Sequence, residues 1–513
     1  MKFHVLYISS VSACFELDNA LPFFAKEEFD VYLNGSVLLN NVNTNVFSIF
    51  DLEPDTEYKV SVGEYSLCVR TKEETTYMDI RAFGAVGDGI SDDTDAIRLA
   101  VERCPVGGRL IFPKGIYRTQ PITLKSDITI ELKRGSVILG ETQEDKYPVI
   151  PERSIDPTTG ESYVSASWEG EPYPCYASLI NAYGERNITV VGEGSIDGNA
   201  HNSTWWQRPK GREVARPRLV FFNRCEGIVF HGVTGKNSAS WNFHPFFCKN
   251  VRFFDTAVEA PSNSPNTDGL NPESCYDVEI IGMRFSVGDD AIAIKSGKMY
   301  MGMKYKTPAQ KHTIRNCFMG DAHGAVVLGS EMSGGVKDLS VSQCYFKNTE
   351  RGLRIKTRRG RGKYAVIDGV GFSNIRMDNV KAPFVMNMYY FCDPDGHDEI
   401  VWSKKARPID DTTPYLGAFE FTDMECSGCE WAAGYFYGLP ERPIASVKLS
   451  NVSFSFKDDA APGIPAMMDG VEPLCKIGLY FNRVGVVSLN NVSVTGCVGD
   501  RLITENVGQL IDE

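Results

Sequence analysis

One short phrase recurs along most of this chain. A polar residue is followed by a brief alternation of β-branched or aromatic side chains, then by Gly, Asn or Asp. Examples are Asn187-Ile188-Thr189-Val190-Val191-Gly192, Gly227-Ile228-Val229-Phe230-His231-Gly232, Asn250-Val251-Arg252-Phe253-Phe254 and Asp277-Val278-Glu279-Ile280-Ile281-Gly282. Matched apolar positions lie 23, 27 and 25 residues apart (Ile228 to Val251, Val251 to Val278, Ile314 to Leu339). Each phrase suits one short strand, and the stretches between carry almost none of the helical pattern that a βαβ fold needs. Such a period is that of one coil of a parallel β-helix. The expected fold over residues 108–499 is therefore all-β, a stack of parallel coils. Three longer intervals, 150–173, 299–311 and 393–414, are expected as loops that leave the solenoid and wall a groove.

A coil stack must hide its first apolar layer. A helix beginning near Ser91 supplies the cover: Ser91 reads as N-cap, Asp92, Asp93 and Asp95 suit the positive helix end, and Ile97, Ala100, Val101 and Cys104 share one face. Ahead of it lies a separate unit. Strand-like runs at 5–11, 30–33, 46–50, Glu57–Val62 and Tyr65–Arg70, with turns at Asn34-Gly35 and Pro54-Asp55, read as a small β-sandwich. Two domains result, 1–75 and 76–513. The run from Phe50 through Pro54 and Tyr58 to Val60 resembles the E–F corner of fibronectin type III domains, with Tyr58 as the corner tyrosine.

The formal charge of −13 argues against nucleic acid or an anionic membrane as the main partner. Any positive charge for an acidic substrate must be local, as in Lys356, Arg358, Arg359, Arg361 and Lys363. The fourteen cysteines are scattered, and Cys426 with Cys429 is an isolated CxxC, so no metal site is expected. Many sit in strand-like positions, which favours free thiols and a reducing compartment. His4, Ser9, Ser10 and Ser12 interrupt the N-terminal apolar stretch, so it reads as a first strand and not as a signal peptide. A cytoplasmic location is the expectation.

Four clusters carry chemistry: Asn266-Thr267-Asp268, Gly288-Asp289-Asp290, His323-Gly324 and Arg354-Ile355-Lys356. Asp268 to Asp289, Asp290 to His323 and His323 to Arg354 span 21, 33 and 31 residues. Coils stack at roughly 4.8 Å, so the clusters are expected side by side on one face. Asp289 and Asp290 can both reach a groove only from a bend, which Gly288 permits. Three carboxylates so close cannot all stay ionised at neutral pH, so one pKa is expected to rise. An acid, a base and two cations are the equipment for hydrolysing glycosidic bonds between acidic sugars.

At these residues the chain resembles glycoside hydrolase family 28, the polygalacturonases and related pectinases. The marks read Asn266-Thr267-Asp268, Gly288-Asp289-Asp290, Ala322-His323-Gly324 and Arg354-Ile355-Lys356, with Ala322 in place of a glycine. Phe83 to Asp93 resembles the entry segment of the family's right-handed β-helix. The resemblance implies inverting hydrolysis of α-1,4-galacturonosyl bonds in pectic polysaccharide, without metal or other cofactor. It implies Asp289 as general acid, Asp268 and Asp290 as the pair that activates water, His323 as the tuner of the acid, and Arg354 and Lys356 as holders of the uronate. Inverting enzymes usually keep acid and base about 6.5–9.5 Å apart, and coil stacking brings these closer. Gly288, Glu331 within Gly329-Ser330-Glu331-Met332, and Arg358 and Arg359 look like the bacterial exo-acting branch; Trp241, His244, Tyr389 and Tyr390 resemble its substrate contacts. Rival readings are a rhamnogalacturonan or xylogalacturonan hydrolase, a pectate lyase-like enzyme, and a non-catalytic β-helix adhesin.

Overall fold

A computed structural model of the chain describes residues 1–156 and 158–513. Pro157, inside the expected loop 150–173, lies outside the described residues.

The N-terminal unit is a sandwich of two antiparallel sheets. Ala13–Leu17 runs between Phe3–Ile8 and Val46–Ile49, and the facing sheet orders Ser36–Thr44, Phe24–Leu33, Glu57–Val62 and Tyr65–Arg70. Phe3, Phe15, Phe47, Val31 and Val60 fill the space between. The Tyr58 hydroxyl accepts from the Glu53 N–H at 2.9 Å. The sequence reading missed Ala13–Leu17, and the structure gives the reason. All five residues are buried, one face in the sandwich and the other against the solenoid, so no alternation exists to read. Cys14 packs with Phe254 and Ile281, and the Arg315 guanidinium grips both Glu16 oxygens at 2.7 Å. His231 is fully buried between Ser12 Oγ (3.0 Å) and Ser48 Oγ (2.9 Å).

From Tyr77 onward nearly every strand pairs in parallel with its counterpart one coil away, forming a right-handed parallel β-helix. Two of the anticipated registers hold, since Val251 pairs with both Ile228 and Val278. The third is displaced by two residues: Leu339 lies opposite His312, and Ile314 pairs with Val341. A slip of two keeps every side chain on its own face, so alternation alone cannot detect it.

The cap helix is Thr94–Arg103, and Ile97, Ala100 and Val101 are buried on the first coils. It starts later than the sequence reading placed it. Ser91 belongs to the strand Asp88–Asp92, and Asp93 occupies the cap position with its carboxylate accepting from the Val86 (2.6 Å) and Gly87 (3.1 Å) N–H groups.

One face positions the site. It runs from Ile180–Tyr183, Val220–Asn223 and Phe243–Phe246, through single bridges at Leu270 and Glu273, to Ile292–Ile294, Val326–Gly329, Arg351–Lys356 and Ala382–Asn387. Ile292, Val326, Leu353 and Phe384 stack inward with no exposed surface. Each such burial is worth about 1.5–3 kcal/mol. The expected loops differ in character. Residues 150–173 fold into small antiparallel pairs, including Arg153–Ile155 with Ser162–Val164 and Ser167–Trp168 with Glu171–Pro172. Residues 299–311 are not a loop: helix Met299–Tyr305 leads into strand Ala309–Arg315. The 393–414 stretch carries one short helix, Glu399–Trp402.

Candidate active site

The coil register brings the four clusters together. Leu270, Ile292, Val326 and Leu353 are neighbours across the sheet, so Asp268, Asp290, Gly324 and Arg351, each two residues earlier, also line up. Backbone bonds continue the ladder: Gly269 N–H to Asp290 C=O (2.9 Å), Ala291 to Gly324 (2.8 Å) and Ala325 to Arg351 (2.9 Å). The His323 N–H donates to the Asp289 carbonyl at 3.0 Å, which sets imidazole beside carboxylate. Gly288 forms the bend that turns Asp289 outward. A Cβ there would lie 2.3 Å from the Ser264 carbonyl oxygen, so only glycine fits.

The three carboxyls differ sharply in surroundings. Asp289 is the most open, with its side chain 23% exposed and Oδ1 3.3 Å from His323 Nδ1. Asp290 is buried against Lys356 Nζ at 2.8 Å and Arg354 at 3.7 Å. Asp268 is buried, accepts from Asn271 Nδ2 at 2.7 Å and lies 3.7 Å from Lys295 Nζ. Burial, then the charges of Asp289 and Asp290, push the Asp268 carboxyl up to about 8, against the pull of Lys295. Burial acts on Asp290 in the same direction, but Lys356 and Arg354 outweigh it and hold that group well below the carboxylate range. The contact with Asp289 raises the His323 imidazole despite its partial burial. One carboxyl of the cluster is raised as expected, but it is Asp268 and not Asp289, the residue expected as general acid.

Around them is a cavity of about 380 Å³. Asp268, Asp289, Asp290, His323, Arg354, Lys356, Trp241, Glu331 and Tyr390 all line it, as expected of them. Five other candidates are not brought to it. Arg358 is tied to Asp395 (2.8 Å) and Asp393 (3.3 Å). Arg359 grips Glu441 at 2.6 and 2.9 Å and donates to the Ser403 carbonyl. Arg361, which the sequence reading grouped with them, pairs with Asp393 at 2.7 Å. The basic run is thus neutralised by its own acidic partners, which are distant in sequence and invisible to a local reading. His244 is fully buried beneath Trp241 and bonded to Glu273 at 2.9 Å. Tyr389 is buried with its hydroxyl donating to the Gly438 carbonyl at 3.2 Å.

Several lining residues were not anticipated: Lys295, Glu169, Lys210, Glu350, Arg351 and Met467. Lys295 had a readable signal. It ends the alternation Ile292-Ala293-Ile294-Lys295 as Lys356 ends its own, and one coil lies between them, with Gly329 at the matching position. Its ammonium is 4.5 Å over the Trp241 ring and 3.2 Å from Glu331. Burial works to raise the Glu331 carboxyl, but Lys295, Lys298 and Lys356 outweigh it and draw it down to about 2. Glu169 and Lys210 arrive on insertions whose paths no local pattern reveals.

Comparison with known proteins decides the family. The profile described as Glycosyl hydrolases family 28 matches residues 124–398. A probable polygalacturonase of Vitis vinifera is 32% identical over 380 residues, covering 72% of each chain. The chain belongs to glycosyl hydrolases family 28. An exo-poly-alpha-D-galacturonosidase of Dickeya chrysanthemi is 26% identical over 432 residues, 73% of this chain and 68% of that protein. Among solved structures, a family 28 exopolygalacturonase from Yersinia enterocolitica superposes with TM-score 0.70 at 18% identity, over 99% of this chain and 98% of that one. A hyperthermoactive exopolygalacturonase from Thermotoga maritima gives 0.66 at 24% identity, over 82% and 92%. These likenesses carry the fold. Family membership makes the protein a glycoside hydrolase, which sets aside the lyase and adhesin readings.

Proposed function

We propose that this glycoside hydrolase is an exo-polygalacturonase that removes galacturonate from one end of pectic chains with inversion. The observation that carries the reading is the hairpin Ser167–Trp168/Glu171–Pro172. Trp168 stacks on Trp241 at 5.7 Å with planes 10° apart, and Glu169 at the hairpin tip lines the cavity. Trp241 lies on the coil before Asp268, so the hairpin walls the groove on its N-terminal side. A groove closed at one end favours a chain terminus over an internal segment.

Asp289, open to the cavity and paired with His323, is the general acid. Asp290, kept anionic by Lys356 and Arg354, takes the proton of the attacking water, and Asp268 orients that water. Asp289 gives its proton to the leaving oxygen while Asp290 receives one from the attacking water, so the cluster's proton count is unchanged over the step. Arg354 is the better-placed uronate holder. Its guanidinium lies over Tyr390 and touches Met467 Sδ at 3.3 Å, so much of its donor capacity stays free.

The N-terminal sandwich is read as fibronectin type III-like, on its strand order and the Tyr58 corner. All fourteen cysteines are unpaired, which supports a reducing, cytoplasmic location. The test is a product time course on trigalacturonate labelled at its reducing end. Saturated monomer should leave the unlabelled end, with no absorbance from unsaturated uronides. Activity confined to rhamnogalacturonan or xylogalacturonan would transfer the assignment to those substrates.

A further inference from the structure

The hairpin that closes the groove carries an unusual tip. The pairings Ser167 with Pro172 and Trp168 with Glu171 leave Glu169-Gly170 as a two-residue turn, with φ of 46° and 79°. Turns with two positive φ values favour Asn-Gly, Asp-Gly or Gly-Gly, and a glutamate in the first position is strained there. The tip is also held. The Gly170 carbonyl accepts from the Lys298 N–H at 2.9 Å, and a Cβ on Gly170 would lie 2.7 Å from Glu331 Cγ. Behind it, the Arg218 guanidinium lies 5.4 Å over Trp168 and 5.1 Å over Trp241 and donates to the Ser167 carbonyl. Glu169 thus sits on a rigid support, in a backbone conformation that shorter residues adopt more readily, and its side chain lines the catalytic cavity. Its carboxylate acts on the charge of Arg216, which lies 5.6 Å over the Trp168 ring and donates to Asn266 Oδ1 at 2.6 Å.

We infer that Glu169 is a specificity residue that reads the terminal 4-hydroxyl at the non-reducing end of the galacturonate chain. An anionic acceptor rewards a free hydroxyl. It also repels the uronate that an internal chain segment would bring to the same place, so it selects against mid-chain binding. The non-reducing end suits a fixed acceptor because its 4-hydroxyl has one configuration, whereas a reducing end interconverts between anomers. This inference rests on the exo reading above and adds the atom that the enzyme recognises.

The experiment compares trigalacturonate with the same trimer carrying a 4-deoxy non-reducing residue, using wild type, Glu169→Ala and Glu169→Gln. Wild type should cut the deoxy trimer about ten- to a hundredfold less efficiently in kcat/KM, the worth of a hydrogen bond to a charged group. Glu169→Ala should lose that preference, falling to within about twofold between the two trimers. Glu169→Gln, which accepts without charge, should retain part of it. A trimer reduced to the alditol at its other end should be cut as fast as the parent. If Glu169→Ala keeps the full preference, the residue does not read the hydroxyl; this holds even if the variant is poorly active, since a distorted hairpin lowers both rates together. Failure of the exo reading shows separately, as mid-length products from wild type on polymer.

Discussion

Asp268→Asn separates what this carboxyl does for chemistry from what it costs the fold. Asp268 is 4% exposed, and burial followed by the charges of Asp289 and Asp290 lifts it to about 8. The unfolded chain returns it to about 3.9. Between those values the native protein keeps a proton that the unfolded chain releases. The stabilisation from this group is therefore complete below about pH 4, declines as the pH rises above it, and is gone above about pH 8. Asparagine does not titrate. From pH 5 to pH 7 the variant should accordingly gain stability relative to the parent, by on the order of 1 kcal/mol per pH unit. Urea denaturation of both proteins at pH 5, 6 and 7, followed by tryptophan fluorescence, measures the difference. The variant's kcat should fall at least about a hundredfold at every pH. Stability curves that run parallel from pH 5 to 7 would mean that Asp268 is ionised throughout, and that its burial does not raise it.

Three further outcomes follow from the same geometry. Asp289→Asn should lower kcat by roughly a thousandfold or more with KM nearly unchanged, since an amide cannot protonate the leaving oxygen; near-normal turnover removes Asp289 from the acid's role. Lys356→Met should raise KM for galacturonides more than for their methyl esters, and should also lower kcat because Asp290 loses its 2.8 Å partner; equal losses on both substrates would make Lys356 purely structural. Arg359→Ala should destabilise the protein by about 3–5 kcal/mol, as expected for breaking the buried pair with Glu441, while KM measured on the folded variant changes little; the opposite pattern would return Arg359 to the binding site.

The parts of this enzyme that were legible in the sequence are those fixed by the coil repeat. The repeat set the solenoid and the face, and it placed Asp268, Asp290 and Gly324 on successive coils, each two residues before a paired position, with His323 beside Asp289 one residue earlier. What failed to show depended on side chains meeting from distant segments. Arg358 and Arg359 read as free cations until Asp393, Asp395 and Glu441 came to neutralise them. His244 and Tyr389 sit three and one residues from the lining residues Trp241 and Tyr390, yet His244 is covered by Trp241 and bonded to Glu273 while Tyr389 is bonded to Gly438, cover that a short aromatic run does not specify. Glu169 was silent for another reason: its insertion obeys no repeat, and only the Trp168–Trp241 stack shows where the hairpin lands.

A hairpin that restricts this hydrolase to chain ends, as proposed, would let the polymer shorten only from its termini. Viscosity and new reducing ends, followed together on polygalacturonate, test it most directly. Galacturonate monomer should appear from the first minutes, while viscosity falls slowly as reducing ends accumulate. A rapid loss of viscosity at few cleavages, with a ladder of mid-length oligomers, would contradict it.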